Sequence, residues 1–249
     1  MHGLFGSLSN FGTLARRLSA QRKVVLADLR NHGASPWSDD ASFESMADDI
    51  IELLDNLNIP SAVLCGHSLG GKVAMTAALQ QPDRLAALIV ADIAPVEYTT
   101  ANPGWQSTLA ILEVMASLPA ASLGSRAEAD AALSADVSEA GVRAFLLQNL
   151  LPEENRWRLN HIGLLKAARS GEFSRFPALP PAPLSMAARF IAGRRSSYCV
   201  EPEHREAMEA YFPGAEAEIC WLDAGHWVHA EKPDDFAILV DEFASSAAP

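Results

Sequence analysis

Five short, mainly apolar runs punctuate the chain: VVLADL (Val24 to Leu29), AVLCG (Ala62 to Gly66), ALIVADI (Ala87 to Ile93), RFIAG (Arg189 to Gly193) and EICWLDAG (Glu218 to Gly225). Runs of this length, rich in β-branched residues, predict strands buried on both faces. Between them the period lengthens. Phe43 to Leu57 carries Met46, Ile50, Leu53, Leu54 and Leu57 at helical spacing, and strand alternating with helix predicts an α/β fold, a mostly parallel sheet flanked by helices.

From about Tyr98 to Pro183 the strand signal disappears. GWQSTLAILEVMASL, AGVRAFLLQNLL and NRWRLNHIGLLKAAR are helical in pattern, which predicts an inserted helical cap over residues 98–183 on a core made of 1–97 and 184–249. The Pro-rich run FPALPPAPL, Phe176 to Leu184, cannot continue a helix and is expected to return the chain to the sheet.

Composition narrows the class. The chain has 249 residues, of which 49% are hydrophobic and 20% charged, enough for one sizeable packed core. The net charge of −12 argues against nucleic acid, whose phosphates require clustered Lys and Arg. No stretch approaches the ~20 apolar residues needed to cross a bilayer. Cys65, Cys199 and Cys220 have no paired spacing, so neither a disulfide framework nor a metal site is expected and a cytoplasmic setting fits best. No cofactor is implied.

The chemistry begins where AVLC ends. Gly66-His67-Ser68-Leu69-Gly70 is a G-x-S-x-G motif between an expected strand and the helix-compatible KVAMTAALQ. In that context the serine sits on a sharp turn where flanking side chains would collide with the backbone, exposed as a nucleophile at the start of a helix. A serine hydroxyl needs a base. Of seven histidines, His226 follows the last expected strand, at the carboxyl edge where parallel sheets gather their sites. His229 is the next candidate.

These residues resemble the α/β-hydrolase superfamily. The likeness rests on HGLFGS, DLRNHGASP, GHSLGG, VADIAPV and AGHWVHAEKP, which span His2 to Pro233, and is strongest to small bacterial carboxylesterases and related mitochondrial abhydrolase-domain proteins. In many members an acid follows the penultimate strand as G-x-x-D. Here Gly193 is followed by Arg194, Arg195 and Ser196, with no carboxylate until Glu201. The resemblance to the esterase subgroup implies Asp92, at the end of IVAD, as the acid that orients His226, with Glu201 as the alternative. It also implies an oxyanion hole formed by the N–H groups of Leu4 in the HG loop and of Leu69 after the nucleophile. Phe5, His67, Trp105, Phe145, Leu146, Trp157 and Trp227 are candidates to line the substrate pocket.

The implied activity is cofactor-free hydrolysis of a small-molecule carboxylic ester through an acyl-enzyme. Thioesterase, lactonase or perhydrolase chemistry on the same triad, or ligand binding without turnover, are the alternatives. In the superfamily the HG loop follows a central strand; the resemblance implies that three family strands before His2 are missing, or that the start is assigned too late. VVLADL is therefore expected either to pair directly with AVLCG or to pair across a subunit boundary in a homodimer, and the HG loop is expected to be loosely held.

Overall fold

The computed structural model describes residues 1–119, 123–180, 184–213 and 219–247. Residues 181–183 of the Pro-rich connector, and Glu218 at the start of the last expected strand, lie outside the described residues. Short helix α1 (Gly12–Leu18) and α2 (Phe43–Asn56) precede β1 (Ala62–His67), α3 (Leu69–Gln80) and β2 (Leu85–Ala91). The helices α4 (Pro103–Ser117), α5 (Arg126–Leu133) and α6 (Ala140–Leu146), the two-residue strands β3 (Leu150–Leu151) and β4 (Arg156–Trp157), and α7 (His161–Ser170) follow. The chain then returns through β5 (Ala188–Gly193), α8 (Glu203–Tyr211), β6 (Ile219–Leu222), α9 (Val228–Glu231) and α10 (Pro233–Ser246).

The main sheet has the order β1-β2-β5-β6, all parallel. Its alternation sorts the core into two layers. Leu88 and Val90 of β2 and Phe190 and Ala192 of β5 face a large cluster with α2 and α3, while Ile89, Ala91 and Ile191 face a smaller one with Phe11, Phe236 and Val240. Both faces are covered, as uninterrupted apolar strands require. The helical insertion lies between β2 and β5 in sequence, and its hairpin is closed by antiparallel pairing of Leu150 with Trp157 and Leu151 with Arg156.

The first expected strand forms differently. Val24 to Leu29 forms no regular element and belongs to no ladder among the described residues, where β1 pairs only with β2. Direct pairing of VVLADL with AVLCG does not occur. A slot of about 660 Å³ separates them, with Val24, Val25, Leu26 and Ala27 on one wall and Ala62 to Cys65 on the other. At one end of the slot the first residues lie beside β1. The Met1 ammonium donates to the Cys65 carbonyl at 2.7 Å, and the Met1 carbonyl accepts from His67 N–H at 3.1 Å. That is one rung of a parallel ladder opposite Gly66. Leu29 N–H is held off on the far side by His2 Nε2, at 3.0 Å.

The HG loop is accordingly tied down. Gly70 N–H donates to the His2 carbonyl at 3.1 Å, Gly6 N–H closes a turn on the Gly3 carbonyl at 3.0 Å, and Leu8 N–H donates to Asp28 Oδ1 at 2.7 Å. The loop expected to be loosely held is thus tied by backbone and side-chain hydrogen bonds on both sides.

Candidate active site

Ser68 closes the turn between β1 and α3 with φ of 52° and ψ of −116°, a strained conformation for a residue with a side chain. Two contacts hold it: Ser68 N–H donates to the Ala91 carbonyl at 3.0 Å, and Lys72 N–H donates to the Ser68 carbonyl at 3.0 Å. The flanking glycines are steric necessities. A Cβ on Gly66 would sit 2.1 Å from the Gly70 carbonyl oxygen, and one on Gly70 would sit 2.6 Å from the His2 carbonyl oxygen.

His226 Nε2 lies 3.0 Å from Ser68 Oγ, and its Nδ1 lies 2.7 Å from Asp92 Oδ2. Asp92 follows β2 at φ of 51° and is fully buried. Its N–H extends the ladder to the Ile191 carbonyl at 2.9 Å, and its Oδ1 accepts from Gly193 N–H at 2.7 Å. Ser196 Oγ donates to Asp92 Oδ2. Ser196 stands where the G-x-x-D pattern would put an acid; here it supplies a donor instead. Glu201 is ion-paired with Arg205 and makes no contact with His226. The geometry therefore favours Asp92 over Glu201.

The loop carrying His226 is fixed at both ends. Arg194 N–H and Arg195 N–H donate to the Leu222 and Ala224 carbonyls at 2.9 and 3.0 Å. Gly225 N–H is gripped by the Glu231 carboxylate at 2.9 and 3.0 Å, and Glu231 in turn pairs with Arg195 at 3.1 Å. His67 Nε2 donates to the His226 carbonyl at 2.8 Å. The His67 ring lies 4.7 Å from that of His226 and 4.5 Å from that of His229. Burial pushes His67 well below the usual imidazole range, and the neighbouring His229 and His226 add to it; burial, then His226, lowers His229 to about 4. Both are neutral at pH 7, so neither competes with Asp92 in the field felt by an imidazolium at His226.

A cavity of about 240 Å³ opens on Ser68. Of the pocket candidates, Phe5, His67, Trp105, Phe145, Leu146 and Trp227 line it, joined by Leu4, Leu69, Tyr98, Phe173 and Tyr198. Trp157 does not line it. Its ring is buried in the β3–β4 hairpin, where the indole N–H donates to the Leu118 carbonyl at 3.2 Å, because an apolar ring with one donor is best satisfied inside that packing. The N–H groups of Leu4 and Leu69, which flank the serine, have no hydrogen-bond partner among the described residues. No cluster of potential metal ligands is present among those residues, and no helix there is long and apolar enough to cross a membrane.

This parallel sheet, with a serine on the turn after β1 and a histidine after β6, defines a fold class, and the comparisons agree. Residues 1–233 match the family described as alpha/beta hydrolase fold, and the chain belongs to that family. It is 41% identical over 249 residues to mouse sn-1-specific diacylglycerol lipase ABHD11, covering 98% of this chain and 79% of that protein. It is 37% identical over 238 residues to Esterase YbfF of Escherichia coli strain K12, covering 94% and 87%. Among solved structures, a marine microorganism esterase superposes with a TM-score of 0.92 at 34% identity, covering 98% of this chain and 93% of that one.

Proposed function

We propose that this protein hydrolyses carboxylic esters of small or medium acyl groups through a covalent acyl-enzyme on Ser68. The observation that carries the reading is the unbroken hydrogen-bonded line from Asp92 through His226 to Ser68, at 2.7 and 3.0 Å, opening into an apolar cavity. Relatives named esterase and diacylglycerol lipase support the reaction class.

As the Ser68 oxygen attacks the ester carbonyl carbon, its proton passes to His226 Nε2. Asp92 accepts the Nδ1–H of the resulting imidazolium and stabilises its charge. The carbonyl oxygen becomes an oxyanion, for which the unpaired N–H groups of Leu4 and Leu69 are the donors. Collapse breaks the carbon–oxygen bond to the alcohol, which leaves with the proton from His226. Water then attacks the acyl-enzyme by the same route, giving the acid and free Ser68. A cavity of about 240 Å³ is below the ~300–1,000 Å³ usual for drug-sized ligands, which favours short acyl chains.

The test is p-nitrophenyl acetate turnover by the protein and by Ser68→Ala. The variant is expected to lose about 10⁶-fold in kcat, together with covalent labelling by a fluorophosphonate. Retained turnover, or labelling of another serine at equal yield, refutes the assignment. A protein that only binds its ligand would show no difference between the two.

A further inference from the structure

The helical insertion touches the turn that carries Leu4 through one buried polar side chain. Asn149, 3% exposed, donates from Nδ2 to the Phe5 carbonyl at 2.7 Å, across 144 positions of sequence. Phe5 is the third residue of the Gly3–Gly6 turn and has φ of 65°, whereas Leu4 before it does not have positive φ. This is the arrangement of a type II turn, whose third position ordinarily takes glycine. Phe5 cannot be glycine without losing its ring from the cavity wall. The turn therefore holds a strained residue for the sake of its side chain and needs support from outside.

The support comes from the insertion at two points. Asn149 enters the β3–β4 hairpin, and its carbonyl accepts from Arg158 N–H at 2.7 Å, which lengthens the pairing. On leaving the hairpin, Asn160 grips Asn31: its N–H donates to the Asn31 carbonyl at 3.0 Å and its Nδ2 to Asn31 Oδ1 at 2.9 Å. Asn31 is fully buried and also has positive φ, at 68°. The two gripped loops meet each other where Leu29 N–H reaches His2 Nε2 and where the His2 and His32 rings lie 5.0 Å apart. One hairpin thus clamps both loops.

We infer that Asn149 is a positioning residue for the oxyanion hole: by fixing Phe5 it sets the direction of the Leu4 N–H, so that the helical insertion controls transition-state stabilisation as well as substrate access. The inference rests on the proposed hydrolysis at Ser68. Asn149 does not line the cavity, so its removal acts on the oxyanion and spares ground-state binding.

The experiment compares Asn149→Leu with the unaltered protein on p-nitrophenyl acetate and on a boronic acid that forms a tetrahedral adduct with the active-site serine. Asn149→Leu keeps the branched shape and removes the donor. A fall in kcat of about 10- to 100-fold is expected, with KM within about two-fold and boronic acid affinity reduced by the same factor as kcat. Adding Phe5→Gly, which needs no support at positive φ, should shrink the penalty of Asn149→Leu to about two-fold. If Asn149→Leu does not accumulate as folded protein, Asn149→Ala removes the same donor without adding charge or bulk and is read on the same quantities. A kcat within two-fold of the unaltered protein, or a loss confined to KM, overturns the inference while Ser68→Ala remains inactive. Turnover surviving in Ser68→Ala overturns the site reading and this inference with it.

Discussion

The two sides of Ser68 are built by different means. On the side of β2, β5 and β6, continuous parallel ladders run to the strand ends and carry straight into Asp92, Gly193 and the His226 loop. On the other side, among the described residues, β1 has beside it only the Met1 rung, with a slot beyond, and the loop is held by that rung and a set of side-chain bonds from His2, Asp28 and Asn149. The Asp92 and His226 side thus inherits its geometry from the sheet. The Leu4 side obtains it from tertiary contacts that each depend on one residue.

The largest expected difference tests the ladder side. Asp92→Asn leaves a neutral group facing His226 Nδ1 and is expected to lower kcat by about 10⁴-fold, while Glu201→Gln, altering an exposed ion pair, should change it less than two-fold. Equal losses in the two variants would mean that the acid is not held where the ladder puts it.

A second, smaller effect singles out the loop side. His2 and His32 are buried there, and burial lowers His2 well below the ordinary imidazole value and His32 to about 4. Between pH 6.5 and about 4 the unfolded chain takes up protons that the folded chain refuses at these positions, so stability should fall as pH falls through this window and be insensitive to them above it. The loss amounts to about 3 kcal/mol for a group shifted as far as His32. Urea midpoints measured across the window should drop, and the slope should be shallower in His32→Gln. An unchanged slope in that variant would remove the contrast in acid sensitivity.

The smallest effect is local. Strand alternation turns the N–H groups of Val63 and Cys65 towards the slot and those of Leu64 and Gly66 towards β2. Amide hydrogen exchange should be faster at Val63 and Cys65 by about two orders of magnitude. Uniform protection along β1 would show that the edge is covered.

The same asymmetry decided what could be read in advance. That Ser68, Asp92 and His226 would lie close together was legible because each follows an apolar run at the carboxyl end of the sheet, where chain order implies position. The departure from G-x-x-D was legible too, but not its meaning, since nothing in Arg194-Arg195-Ser196 says that Ser196 would donate to a carboxylate 104 positions away. Val24 to Leu29 misled because an apolar run reports burial and not a partner. Trp157 looked like a pocket residue because helical patterns do not distinguish a cavity wall from an interior. Asn149 and Asn160 gave no signal, for a polar residue after an apolar run reads as a helix end in any sequence.

The positive backbone angles at Phe5, Ser68 and Asp92 also bear on how such a protein evolves. Conformations of this kind cost about 1 to 3 kcal/mol each, set against a net folding stability of about 5 to 15 kcal/mol for a whole domain. Substitutions that relax any of the three are then among the easiest ways for a drifting lineage to gain robustness, and each would erode turnover first. On the proposed hydrolysis, selection for activity is expected to act continually on this end of the sheet.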